Sequence, residues 1–248
     1  MTATTVSRVE PTDRRTRSEE VLVVLVLSLL ASAVYAILDL FAAPLRGVTV
    51  ASVSQSNELL RQVLGVVFGL GPVYLVLHLV RRSGEGTGAI GLAWDRPRAD
   101  LQRGAVLFGI VGAVGIGVYL GAVALGVNRF VVPAPPLGHW WTVPVLMLNA
   151  LEAALLEEVI VVGYLITRLR QLGWTAIAAI VGSGLLRGTY HLYQGWGGFA
   201  GNLAMGLFFG WLFVRTRRTW PLVLAHLLLD AGAGFGYIAF RGHLPGFG

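Results

Sequence analysis

The 248-residue chain has no cysteine and no lysine, and only 13% of its residues are charged. Without cysteine, disulfides, iron–sulfur clusters and thiolate zinc sites are excluded, and the redox compartment leaves no trace in the sequence. Arginine supplies all 19 basic residues, a bias of composition rather than a sign of chemistry. An ordinary soluble domain carries roughly 25% charged residues, so a water-facing surface of the usual kind is also missing. No linker is long enough to divide the chain, and no repeat of about 20–50 residues is evident.

What the chain has instead is apolar length. Hydrophobic residues make up 55% of it, in recurring stretches of about 18 or more, the signature of transmembrane helices. The pattern predicts an all-α, polytopic transmembrane helical bundle of about seven helices, over residues 20–43, 58–80, 101–127, 140–170, 174–192, 197–215 and 219–240. Residues 1–18 read as a disordered cytoplasmic tail, 19–139 as three helices with their loops, and 140–241 as a four-helix core. Arg14, Arg15 and Arg17 ahead of Ala31-Ser32-Ala33 imitate a signal peptide. The apolar run continues to Pro44, however, and a signal h-region is only about 7–15 residues long, so the first helix is read as retained.

The net charge of +6 matches the topology signal of a membrane protein, and no contiguous basic face points to nucleic acid. With the N-terminus inside, fourteen arginines fall on the cytoplasmic side, from Arg8 in the tail to Arg218 before the last helix. Four fall outside: Arg46, Arg61, Arg129 and Arg241. Only Arg187 remains, and it lies inside the fifth helix. The expected orientation is therefore N-in and C-out, in a membrane expected to be the bacterial cytoplasmic one. The glycine pairs Gly65/Gly69, Gly184/Gly188, Gly197/Gly201 and Gly206/Gly210 allow close helix approach. They predict that the fifth and sixth helices pack tightly.

Ionisable groups at bilayer depth are costly, so each is a functional candidate. Here they are His78, Glu152, Glu157, Glu158, Arg187, His191, His226 and Asp230. Asp39 sits near a helix end and reads as interfacial, as does His78 beside Arg81. Glu152 lies on a different helical face from Glu157 and reads as a rim or packing residue. His226 and Asp230 are four apart and share a helix face, as do Arg187 and His191. Adjacent residues on an α-helix point about 100° apart, so one of Glu157 and Glu158 is expected to face the cluster and the other to pair with Arg187 or a backbone group. Peptide hydrolysis needs an activated water, a donor for the oxyanion and an acid for the leaving amine, and glutamate and histidine can supply all three. The same set can hold a metal such as zinc, through His191, His226 and Glu157, although the HExxH signature is absent. Ser183 stands in no nucleophile motif.

Glu157-Glu158, His191 and His226-x-x-x-Asp230 together resemble the CPBP family of intramembrane proteases, the CAAX proteases and bacteriocin-processing enzymes. The family's motifs are EExxxR, FxxxH and HxxxN/D on separate transmembrane helices. The resemblance covers about 140–240, and the stretch from Leu186 to Gly195 is typical of it. It implies that Glu157 is the general base, helped by His191, that His226 and Asp230 form the oxyanion site, and that Glu158 is a supporting carboxylate. It also implies a peptide or membrane-protein substrate amid membrane lipid. The family has been described both as metal-dependent and as metal-free; a metal-free site with no required cofactor is the expectation. Oligomeric state is not legible.

Two positions depart from the motifs. Val162 replaces the arginine of EExxxR, and Arg187 replaces the phenylalanine of FxxxH. Arg187 is expected to compensate by pairing with Glu158. Helix lengths also pose a geometric demand. At 1.5 Å per residue, Glu157 lies about 16 Å and Asp230 about 18 Å from the cytoplasmic ends of their helices, but His191 about 26 Å. The fifth helix must therefore tilt, start at the surface or bend. Two other functions compete: a non-enzymatic immunity-like or scaffold protein, and a transporter. The transporter reading is weakened because the first three helices hold no counterpart of the polar cluster.

Overall fold

The computed structural model of the chain describes residues 11–30, 33, 37, 58–128, 131 and 134–240. Asp39, the first ten residues of the expected tail, Arg46, Arg129 and Arg241 lie outside them. Among the described residues the protein is all-helical, with seven helices and no strand. We number them α1 (Pro11–Leu25, continued by a π-helical turn Val26–Leu30), α2 (Glu58–Gly69 leading into Gly71–Arg82) and α3 (Pro97–Ala124). Next, α4 runs through three windings: Thr142–Leu155, a π-helical stretch Leu156–Tyr164, and Leu165–Gln171. The last three are α5 (Ala176–Tyr190), α6 (Trp196–Thr216) and α7 (Trp220–Phe240). Four helical spans are long and apolar enough to cross a membrane: Leu59–Arg82, Pro97–Ala124, Trp196–Thr216 and Trp220–Phe240.

α4 is the axis of the bundle. Every residue from Glu157 to Leu169 is buried, which is the signature of a helix surrounded on all sides. Val159, Ile160, Val162 and Ile166 meet Val76 and Val80 of α2, Phe209 and Phe213 of α6, and Leu222 and Val223 of α7 in one apolar core. α3 packs against α7 and α6 and leaves most of its apolar side chains, Ile110, Val114 and Ile116 among them, exposed on the outside of the bundle. Exposed aliphatic surface on a span of this length suits lipid contact.

α5 and α6 form the most intimate helix pair in the molecule. A Cβ on Gly206 would stand 3.0 Å from Gly184 Cα and 3.1 Å from Arg187 Cδ, and one on Gly188 would stand 3.0 Å from the Phe199 ring. Gly184, Gly188, Gly206 and Gly210 thus do what their spacing predicted, whereas Gly197 faces Ala122 of α3, Gly201 has only an ordinary contact at 3.9 Å, and Gly65 has nothing within 4 Å.

Two boundaries differ from the sequence reading for identifiable reasons. Helix α1 begins at Pro11, so residues 11–18 of the expected disordered tail are helical. Arg14 Nη2 donates to the carbonyl of Leu172 at the end of α4 (2.8 Å), and Arg17 pairs with Glu85 (3.2 Å) and Gln171. These partners lie some 70 to 160 residues away, beyond the reach of any local pattern. Helix α5 stops at Tyr190, with His191 as its C-cap, two residues before the predicted end. Its fifteen residues span only about 22 Å at 1.5 Å each, less than a hydrocarbon core of about 30 Å. His191 at the tip of α5 reaches Glu157 of α4.

The segment between α2 and α3 is folded rather than loose. A 3-10 turn, Thr87–Ile90, tucks beneath α4 and the α6–α7 turn. Thr219 Oγ1 donates to Ile90 O (2.6 Å) and Thr219 N to Gly91 O (2.9 Å). Gly163 makes the close approach possible, since a Cβ there would sit 2.8 Å from Ile90 O. At the same end Arg168 is fully buried and paired with Glu85, and Arg218 is paired with Asp95 and Asp100.

Candidate active site

The π-helical stretch of α4 places both glutamates. Over Leu156–Tyr164 the backbone winds with more residues per turn than an α-helix, which is a frequent feature of functional sites. Adjacent side chains then diverge less. Glu157 and Glu158 are both buried and both meet Arg187: Glu157 also faces His191, and Glu158 takes the Arg187 partner expected for the second glutamate. Ser183 Oγ of α5 donates to Val161 O (2.7 Å), tying the π stretch to its neighbour. Ser183 is therefore spent on structure and not on nucleophilic attack.

Arg187 stands at the centre, reaching from α5 through a space left open by Gly206. Its Nη1 donates to Glu158 Oε1 at 2.7 Å, and its Nη2 lies 3.0 Å from Glu157 Oε2. The side chain is fully buried, with the Phe209 ring centroid 5.8 Å from its guanidinium carbon. Two adjacent buried carboxylates are tolerable only beside such a charge. The pairing that the sequence assigned to Arg187 in place of the arginine absent at Val162 is made, and it reaches both glutamates.

The two histidines flank this triad. His226 Nδ1 is 2.8 Å from Glu158 Oε1 and 3.3 Å from Arg187 Nη2, and its Nε2 is 3.3 Å from Asp230 Oδ2. Asp230 is the most open member, its side chain 42% exposed. His191 Nε2 is 3.5 Å from Glu157 Oε1, is buried, and has no hydrogen-bond partner among the described residues. All six residues singled out as catalytic or supporting, Glu157, Glu158, Arg187, His191, His226 and Asp230, thus occupy one cluster. His78 is exposed on α2 and outside it. Glu152 is half-buried with its carboxyl laid over Gly69 of α2, where a Cβ would come within 2.1 Å of Oε1.

Sequence reasoning gave no role to three neighbours. Tyr190 is buried on the Glu157 side, its ring centroid 4.9 Å from that of His191. Met205 Sδ lies 3.9 Å from Arg187 Nη2. Gln194 Nε2 lies 3.3 Å from His191 Nδ1. Only Gln194 had a local signal, its spacing of three from His191 across a turn.

Glu157, Glu158 and His226 each offer one ligand atom, and these atoms lie within 4.8 Å of one another. This is a different trio from the one the sequence suggested, with Glu158 in place of His191. A fixed guanidinium already lies against both carboxylates, so the donors do not fit a divalent ion without first expelling Arg187.

A buried carboxylate–histidine–arginine cluster at the centre of an apolar helical bundle marks a functional site of an intramembrane protein. Residues 139–232, which hold the whole cluster, match the family model described as type II CAAX prenyl endopeptidase, Rce1-like. That segment is similar to the Rce1-like, CPBP-type family of intramembrane proteases. No curated protein and no solved structure matches the chain.

Proposed function

We propose that the protein is an intramembrane endopeptidase that cleaves a membrane-associated peptide or protein with a water activated by Glu157, without a required metal. The observation that carries this reading is the 3.5 Å approach of Glu157 Oε1 to the otherwise unbonded His191 Nε2. The pair sets a proton acceptor and an imidazole side by side, the two groups that a water bound against both would contact.

In this reading Glu157 takes the proton of the water as its oxygen bonds to the scissile carbonyl carbon. The carbonyl π electrons move to oxygen, and His226 Nε2–H turns from Asp230 to hold the oxyanion. The C–N bond then breaks, and the proton on Glu157 passes to the leaving nitrogen. Glu158 and Arg187 form the fixed electrostatic frame. Arg187 supplies the charge that lets Glu157 stay ionised until it acts. The arginine distribution supports an N-in, C-out orientation, which places the buried end of α4 at Arg168 towards the cytoplasm.

The test is cleavage by membranes containing the full chain, read by peptide mass spectrometry against Glu157→Gln and His191→Ala. Loss of the products in both variants, with each protein inserted and folded, supports the reading. Products that persist in both overturn it.

A further inference from the structure

We infer that Gln194 is a positioning residue that fixes the His191 tautomer with its proton on Nε2, so that His191 faces Glu157 as a donor. This rests on the proposed protease reading for its meaning, but not for its test. Gln194 Nε2 is an amide nitrogen and can only donate. It lies 3.3 Å from His191 Nδ1 and 2.9 Å from the Tyr193 hydroxyl. An imidazole nitrogen that accepts carries no proton, so the ring proton of neutral His191 sits on Nε2.

The orientation of the amide is built in. Gln194 closes a 3-10 turn, Leu192–Gln194, and its backbone N donates to His191 O (3.0 Å). Gly195 has φ +95 and donates to Leu192 O (2.8 Å), while Gly197 N donates to Val127 O (3.0 Å), which moors the turn to the end of α3. Gly198 makes the space: a Cβ there would stand 2.4 Å from Gln194 Cβ and 2.9 Å from its Oε1. The amide oxygen lies on the Gly198 side, and the nitrogen lies towards His191 and Tyr193.

The consequence is a division of labour. With its Nε2 lone pair occupied by a proton, neutral His191 cannot be the first base. It donates to the water or to Glu157, and proton abstraction falls to Glu157 alone. A ring of the other tautomer would turn a lone pair towards the Glu157 carboxylate and repel it.

The test is histidine-selective 15N NMR of the full chain in lipid nanodiscs at neutral pH, with His191→Ala identifying the His191 ring signals. The expected spectrum shows His191 with a bare Nδ1 and a protonated Nε2. Gln194→Glu places an acceptor at the same spot and is expected to protonate Nδ1. Gly198→Ala, which displaces the amide without removing it, is expected to produce a mixture of tautomers. In the cleavage assay, Gln194→Leu is expected to lower kcat, with KM within about twofold. A wild-type His191 carrying its proton on Nδ1 overturns the inference whatever the protease assay gives. So does a Gln194→Glu spectrum identical to wild type. If the tautomer is as stated and Gln194→Glu shifts it, but wild-type membranes cleave nothing, the positioning stands and the protease reading falls.

Discussion

Arg187 Nη1 lies 2.7 Å from Glu158 Oε1, joining α5 to the π-helical stretch of α4 in a pair that is completely buried. Neither partner is tolerable alone at this depth. Removing one member of a buried pair costs about 3–5 kcal/mol, because the other is left charged and dry. The expectation is therefore non-additive. Arg187→Ala and Glu158→Gln should each lower stability and cleavage severely, and the double variant should lose clearly less than the sum of the two. Thermal unfolding and cleavage rates of all four proteins make up the cycle. Additive losses would show that the two side chains act independently.

The same guanidinium decides the response to chelators. It lies against both glutamates, and a divalent ion at Glu157, Glu158 and His226 would have to displace it. Incubation with a strong chelator followed by desalting should leave cleavage within about twofold of the untreated enzyme. Loss of activity that added zinc restores would refute a metal-free site.

Close helix approach holds the cluster together, and one methyl group tests it. A Cβ on Gly206 meets backbone at Gly184 and the Arg187 stem at 3.0 and 3.1 Å. Gly206→Ala should therefore push α6 from α5 and cost about 1–3 kcal/mol, the usual penalty of overpacking. Cleavage should fall with it, since Arg187 shifts relative to Glu157. Gly65→Ala is the control, having nothing within 4 Å, and should leave both stability and cleavage near wild type. Equal behaviour of the two variants would remove the packing argument.

Much of this was legible in sequence, and the parts that were not share a cause. Apolar runs gave the helices, and the spacing of Gly184, Gly188, Gly206 and Gly210 gave the α5–α6 contact, because both signals are local and periodic. Arg187 was placed opposite Glu158 by the resemblance, as the substitute for the motif arginine absent at Val162. The π winding of α4 was invisible. It depends on neighbours such as Ser183, which binds Val161 O, and no propensity in Leu156–Tyr164 announces it. The early start of α1 was hidden for the same reason, as Arg14 and Arg17 find their partners on α4 and near Glu85. Gln194 shows the limit most sharply: its spacing from His191 was visible, but its direction depends on the room at Gly198.

Glu85 carries the last prediction, at the end of the bundle away from the cluster. Burial alone would raise its carboxyl, but hydrogen bonds and charge from Arg168, with the charge of Arg17, hold it below its ordinary value. A carboxyl depressed on folding adds stability above its unfolded pKa, and that stability is lost as pH falls through the folded value. Acidification from neutral to below the ordinary glutamate value of 4.5 should therefore release α1 and the α2–α3 segment from α4. Arg168 would be left buried without its anion. Limited proteolysis after Arg14 and Arg17 should accelerate across that range, with melting temperature falling in step. Glu85→Gln should be less stable at neutral pH and show a flatter acid dependence. If Glu85→Gln loses stability with the same acid slope as wild type, the pH response belongs to another group.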